Sequence, residues 1–118
     1  MTTQKAVVEK HTDGFRRGDL AQFVSCLTDD VVWALYGAKS LVGKDAFAAE
    51  ADSGDGPNPE LTLDRLIEEG DTVAVIVHGT VSLGGDPHDL VYSEVFTFTD
   101  GLVSRLDTFH IWLGEVPA

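Results

Sequence analysis

The chain has 118 residues, 43% of them hydrophobic and 24% charged, as expected of one globular domain spanning residues 1–118. Its formal net charge of −12 repels phosphate backbones and anionic lipid, which disfavours nucleic acid and membrane surfaces as partners. The single cysteine, Cys26, rules out an internal disulfide, and no stretch reaches the ~20 apolar residues of a membrane span.

The opening segment Met1–Lys5 lacks the apolar core of a signal peptide, so a cytoplasmic location is expected. Helical spacing of Ala6, Val7, His11, Gly14, Phe15 and Gly18 predicts a first helix over residues 3–17, capped by Thr2 or Thr3. Gly18-Asp19 stops it and restarts a second helix, Leu20 to Leu27, with Asp19 as N-cap and Cys26 as a small core residue. Thr28-Asp29-Asp30 reads as a turn into a short strand, Val31 to Tyr36. A loop ending at Gly43 leads to a third helix, Lys44 to Ala51, and Asp52–Pro59 is dense in turn formers.

Beyond that loop the hydrophobic period changes from helical to alternating. Strands are expected at Leu61–Glu68, Thr72–Leu83, His88–Thr99 and Leu102–Leu113, with a hairpin loop at Gly84–Pro87. Helices followed by an antiparallel meander predict an α+β fold with the helices on one face of the sheet.

In the strand that ends at Thr99, Leu90, Tyr92, Glu94, Phe96 and Phe98 share one face, because side chains alternate. Glu94 is the one acid on that otherwise apolar and aromatic face. A buried carboxyl without a partner raises its pKa rather than stay charged. The turn at Asp100-Gly101 sets its neighbours. A two-residue loop places Glu94 opposite Asp107, two like charges; a three-residue loop places it opposite Leu106, and Leu90 opposite His110. The three-residue register is preferred. It gathers Tyr92, Glu94, Phe96, Phe98, Leu102, Leu106, Thr108, His110 and Trp112 on one face. Val95, Val103, Phe109 and Ile111 then lie on the other, a surface suited to a homodimer.

Five segments in order resemble the nuclear transport factor 2-like superfamily, in its SnoaL-like polyketide cyclase and ketosteroid isomerase group. They are Phe15-Arg-Arg-Gly-Asp-Leu20, Leu27-Thr-Asp-Asp-Val-Val-Trp33, Leu41-Val-Gly-Lys-Asp-Ala-Phe47, Glu69-Gly-Asp-Thr-Val-Ala-Val75 and Phe96-Thr-Phe-Thr-Asp-Gly-Leu-Val-Ser-Arg105. The resemblance implies a cone-shaped curved sheet with three N-terminal helices enclosing an apolar pocket. Its walls would be Phe15, Trp33, Leu35, Tyr92, Phe96, Leu106, Thr108 and Trp112. It also implies cofactor-independent isomerase, cyclase or epoxide-hydrolase chemistry on a hydrophobic cyclic or polyketide-like ligand, and a homodimer.

Position by position, the isomerase's oxyanion-donor tyrosine falls at His11 and its oxyanion-hole aspartic acid at Glu94. Its general base falls at about Leu35, which removes the base of steroid isomerisation. The cyclase branch often places an acid or histidine on the last strand, and there this chain has His110. The expected catalytic groups are therefore Glu94 as proton donor, His110 as base or acid, and His11 polarising the substrate oxygen. The alternative is a non-catalytic ligand-binding or scaffold protein, with Glu94 merely paired to a histidine. The four histidines show no metal-ligand spacing, so no metal is expected, and His78 and His88 read as surface or interface residues.

Overall fold

The computed structural model describes residues 3–52 and 59–114. Thr2 and residues 53–58 of the expected loop lie outside the described residues. The elements are α1 (Thr3–Arg17), α2 (Leu20–Ser25), β1 (Leu27–Leu35), β2 (Lys39–Val42), α3 (Lys44–Ala51), β3 (Glu60–Glu69), β4 (Thr72–Leu83), β5 (Asp86–Thr99) and β6 (Leu102–Leu113). Six strands in the order β2-β1-β6-β5-β4-β3 form one curved sheet, mixed because β1 runs parallel to β6. The architecture is the expected α+β arrangement with three helices, and the sheet stays open. Among the described residues no helix is long and apolar enough to cross a membrane.

The helix boundaries follow their local signals. Gly18, at φ 70°, ends α1 in the left-handed region that glycine tolerates. Asp19 then caps α2, its carboxylate accepting from the Gln22 amide at 3.0 Å. The two helices pack closely because Gly14 has no side chain. A Cβ there would sit 2.7 Å from Phe23 N and 3.0 Å from Phe23 Cα, both backbone atoms. Gly14→Ala is therefore expected to cost roughly 1–3 kcal/mol of stability. Urea unfolding would show it as a lower midpoint at unchanged m.

Three expectations about the strands are corrected. β1 begins at Leu27, and Thr28-Asp29-Asp30 is part of the strand rather than a turn. Leu27 pairs with Val103 of β6, and an irregularity before Val32 absorbs the polar residues, with Asp29 and Asp30 turned to solvent. The segment before Gly43 contains β2, a four-residue edge strand too short and too exposed for an alternating pattern. The β4–β5 hairpin turns on two residues, Gly84 and Gly85, both at positive φ, so β5 starts at Asp86.

The β5–β6 register is the fourth correction. Asp100 (φ 51°) and Gly101 (φ 83°) make a two-residue turn, which pairs Thr99 with Leu102 and Phe98 with Val103. Its twist matches that of the flanking strands. A bulge then intervenes, since Thr97 pairs with Arg105 and Ser104 is left over. From there on Phe96 faces Leu106, Glu94 faces Thr108, Tyr92 faces His110 and Leu90 faces Trp112. The clash with Asp107 is avoided by the bulge, not by a longer loop. Val103 consequently points inward and is fully buried, whereas Leu102 is 40% exposed, the reverse of expectation.

The core lies between the helices and the inner sheet face. Trp33 stacks on Phe47 at 4.0 Å, and His11 on Phe23 at 4.2 Å. Phe96 closes the group from the sheet, its ring 5.5 Å from His11 and edge-on.

Candidate functional site

Three neighbouring strands present the polar groups of the inner face. β5 carries Tyr92 and Glu94, β6 carries Thr108 and His110, and β1 carries Trp33 and Leu35. Leu35 pairs with Thr108 on one side and Glu94 with Thr108 on the other, so Thr108 sits between β1 and β5. The indole Nε1–H of Trp33 donates to Thr108 Oγ1 at 2.8 Å. Thr108 Oγ1 in turn donates to Glu94 Oε2 at 2.7 Å.

Glu94 is 8% exposed, and burial raises its pKa to about 7, an effect moderated by the Thr108 hydrogen bond. Near neutral pH it therefore exists in substantial part as the neutral acid. Neither Glu94 Oε1 nor Tyr92 Oη has a hydrogen-bond partner among the described residues. The sole fully enclosed side-chain nitrogen or oxygen without a partner among them is Thr28 Oγ1. Both Oε1 and Tyr92 Oη thus open onto space a water molecule can reach. Burial, and then the Glu94 charge, hold the Tyr92 phenol well above its ordinary pKa, so it stays a neutral donor.

His110 stands beside Tyr92, ring centroids 5.6 Å apart and edge-on, and Trp112 follows at 6.2 Å. His110 keeps a solvent-exposed edge, and partial burial lowers its pKa, favouring the neutral base. His88 continues this row. It is half-buried against Trp112 at 6.2 Å rather than a bare surface residue. Its even spacing from Leu90 and Tyr92 was the available signal.

His11 is placed apart from this group, behind Phe96 and among Phe23 and Phe47. Its Nδ1 lies 2.9 Å from the Phe23 carbonyl oxygen. A carbonyl only accepts, so Nδ1 carries the proton and Nε2 is an acceptor. Burial lowers its pKa to about 4, partly offset by that hydrogen bond, and the ring is neutral at pH 7.

The remaining expected wall residues divide by exposure. Phe96 and Leu106 are wholly enclosed and support the face from beneath. Leu106 lies opposite Phe96, not Glu94. Trp33, Leu35 and Tyr92 are buried with a little surface left, Trp112 is half-buried, and half-buried Phe15 tilts against Phe23 at 5.6 Å. Arg16 of α1 is an addition the sequence did not single out; its charge reaches Tyr92 and lowers that phenol's pKa slightly against burial. A separate open groove of about 610 Å³, lined by Ala6, Glu9, Lys10, Asp13, Arg16, Gln22 and Leu63, includes no acid or histidine of this face. Among the described residues no group of three or more histidine, cysteine or acidic side chains is placed to hold a metal ion.

On the reverse face Tyr36 stacks on Phe109 at 4.5 Å, and its hydroxyl donates to Asp107 at 2.9 Å. Phe109 and Ile111 are exposed there, 41% and 62%, and Val95 is half-buried.

Comparison with known proteins agrees with the fold. The family model of the SnoaL-like domain matches residues 8–106. A solved structure assigned as a ketosteroid isomerase, from Kribbella flavida DSM 17836, is 27% identical with a TM-score of 0.83, covering 98% of this chain and 83% of its own. One assigned as a SnoaL-like polyketide cyclase, from Jannaschia sp. CCS1, is 20% identical with a TM-score of 0.81, covering 92% and 85%. An LEH-like epoxide hydrolase from M. tuberculosis is 18% identical with a TM-score of 0.81, covering 92% and 83%. No curated protein sequence matches the chain.

Proposed function

The chain belongs to the SnoaL-like domain family, and from that premise we propose that it is a small cofactor-independent acid–base enzyme. Its substrate would be a hydrophobic, cyclic or polyketide-like molecule with a carbonyl or epoxide oxygen, bound in an apolar pocket against the inner sheet face. The observation that carries this reading is Glu94, a buried acid with one oxygen held by Thr108 and the other without a partner among the described residues, its charge felt by the Tyr92 phenol on the same strand. Two neutral donors on an apolar face suit an oxygen that gains negative charge.

In the carbonyl case His110 removes a proton from the carbon next to the carbonyl. The electrons of that C–H bond move to the oxygen, which takes a hydrogen bond or proton from Glu94 Oε1 and a hydrogen bond from Tyr92. Where a carbon–carbon double bond adjoins the enol, His110 delivers the proton to its far carbon as the carbonyl re-forms and the oxygen gives any proton it took back to Glu94, which completes an isomerisation. In the epoxide case Glu94 protonates the ring oxygen as its C–O bond breaks, while a water forms the new C–O bond and gives its proton to His110, from which a proton returns to Glu94 through solvent. His11 takes no part in these steps, because it is buried behind Phe96 and its Nδ1 proton is committed to the Phe23 carbonyl.

A panel of enolisable ketones and epoxides tests the reading. Turnover by the wild type, lost in Glu94→Gln and His110→Ala, is expected. Tyr92→Phe should lower kcat roughly 10²-fold, the usual cost of one oxyanion donor. Absence of turnover on every substrate, or unchanged rates in the variants, would contradict it.

The second reading, a non-catalytic ligand-binding protein, is favoured by Leu35. That buried apolar residue stands at about the place of the isomerase's general base. Ligand binding without turnover would support it.

Two copies would pair through the outer sheet face, around Tyr36, Phe109 and Ile111; Val103 takes no part because it faces the core. Light scattering on the eluting protein is expected to give twice the chain mass, and Ile111→Asp to give the monomer.

A further inference from the structure

Thr108 has a structural position that its small size conceals. Its main chain is fixed, since its carbonyl accepts from the Tyr36 amide at 3.1 Å and the residue pairs with both Leu35 and Glu94. Its side chain is 1% exposed and meets two polar groups, the Trp33 indole nitrogen at 2.8 Å and Glu94 Oε2 at 2.7 Å.

A hydroxyl has one proton to give, and the indole N–H can only donate. Trp33 therefore occupies a lone pair of Thr108 Oγ1, and the hydroxyl proton has one acceptor left, Glu94 Oε2. The carbonyl-type oxygen of a neutral carboxyl is the better acceptor, so it turns toward Thr108. The hydroxyl-type oxygen is then Oε1, the atom that has no partner and opens onto reachable space.

We propose that Thr108 is a positioning residue, oriented by Trp33, that fixes the transferable proton of Glu94 on Oε1 and so aims it into the site. This rests on Glu94 being the proton donor. Without the relay the proton would divide between the two oxygens, and part of it would point into the β-sheet, where it serves no substrate. The nearest titratable groups on the sheet are Tyr92 on the same strand, whose phenol feels the charges of both Glu94 and Arg16, and His110, paired with Tyr92 on β6. β4 contributes apolar Val75 opposite Glu94.

Infrared difference spectra across a pH titration read the proton's place directly, with Glu94→Gln as the blank. A hydrogen bond to the carbonyl oxygen lowers its stretching frequency. Thr108→Val keeps the volume and removes the hydroxyl, so the carboxyl band should move to higher frequency. Its titration midpoint should rise by about one pH unit, because the charged form loses a hydrogen bond. Thr108→Ser should restore both. Trp33→Phe keeps the stack on Phe47, frees the hydroxyl to rotate, and should move band and midpoint part of the way.

A band and midpoint unmoved in Thr108→Val, with wild-type near-ultraviolet dichroism, would overturn the assignment. Should Thr108→Val not fold, a folded Trp33→Phe that leaves band and midpoint at their wild-type positions would do the same. If the wild type shows no carboxyl band near neutral pH that Glu94→Gln abolishes, the functional reading itself fails. A wild-type band that ignores Thr108 sinks the positioning role alone.

Discussion

Glu94→Gln is expected to lose roughly 10²- to 10⁴-fold in kcat at pH 7 while keeping its fold, the range typical of a lost general acid or base. The amide is close to isosteric. Its carbonyl can take the Thr108 hydroxyl, and its NH₂ then stands at Oε1, able to donate a hydrogen bond but not a proton. The pH profile separates this from a packing defect. The active form needs Glu94 protonated and His110 neutral. Activity should therefore fall as pH rises through about 7, where Glu94 ionises, and fall again in acid as His110, whose pKa lies below its usual 6.5, takes up a proton. In Glu94→Gln the residual kcat/KM should retain the acid limb and lose the alkaline one. Retention of both limbs would contradict the assignment.

The same substitution should reshape stability against pH, because two buried groups act in opposite directions. Glu94 has its pKa raised from 4.5 to about 7, so the folded state holds a proton that the unfolded chain releases. Its contribution is complete below pH 4.5 and is lost as pH rises through 7. His11 has its pKa lowered from 6.5 to about 4, so the unfolded chain binds a proton that the folded state refuses. Its contribution is complete above pH 6.5 and is lost as pH falls toward 4. Between pH 4.5 and 6.5 the two proton counts cancel, and their joint effect on stability is flat.

Removing either group uncovers the other. Relative to wild type, Glu94→Gln should gain about 3 kcal/mol on going from pH 4 to pH 8. The Glu94 pKa moves from 4.5 to about 7 on folding, and each pH unit of that interval is worth ~1.36 kcal/mol. His11→Phe should move the opposite way, gaining a similar amount as pH falls from 7 to 4, on top of a constant loss from the unpaired Phe23 carbonyl. Urea titrations at each pH give both differences, in which groups common to the proteins drop out. Parallel curves for Glu94→Gln and wild type would mean that Glu94 is not held neutral by burial.

The order of elements and the inward face of β5 were legible because alternation and turn residues are local properties of a chain. Glu94 stood out for that reason. Its partner did not. The parity of β6 depends on one unpaired residue, Ser104, and nothing in Val103-Ser104-Arg105 announces a bulge. The like charges of Glu94 and Asp107 point to the correct face for Leu106, Thr108, His110 and Trp112, but to the wrong pairs and the wrong face for Val103. The Trp33–Thr108–Glu94 relay joins residues 75 and 14 apart in sequence and exists only once three strands are side by side. From the sequence alone His11 is a donor toward substrate. Only the contact with the Phe23 carbonyl, set by how closely α2 approaches α1 at Gly14, shows which nitrogen carries the proton.

The central claim is that Glu94 is a neutral carboxylic acid at the pH where the protein works. Carbon-13 NMR of the glutamate side-chain carboxyls, titrated from pH 3 to 9 with Glu94→Gln identifying the resonance, tests it most directly. A midpoint of about 7 is predicted for Glu94. A midpoint near 4.5, the ordinary glutamate value, would contradict it and leave the inner face of this sheet without its proton donor.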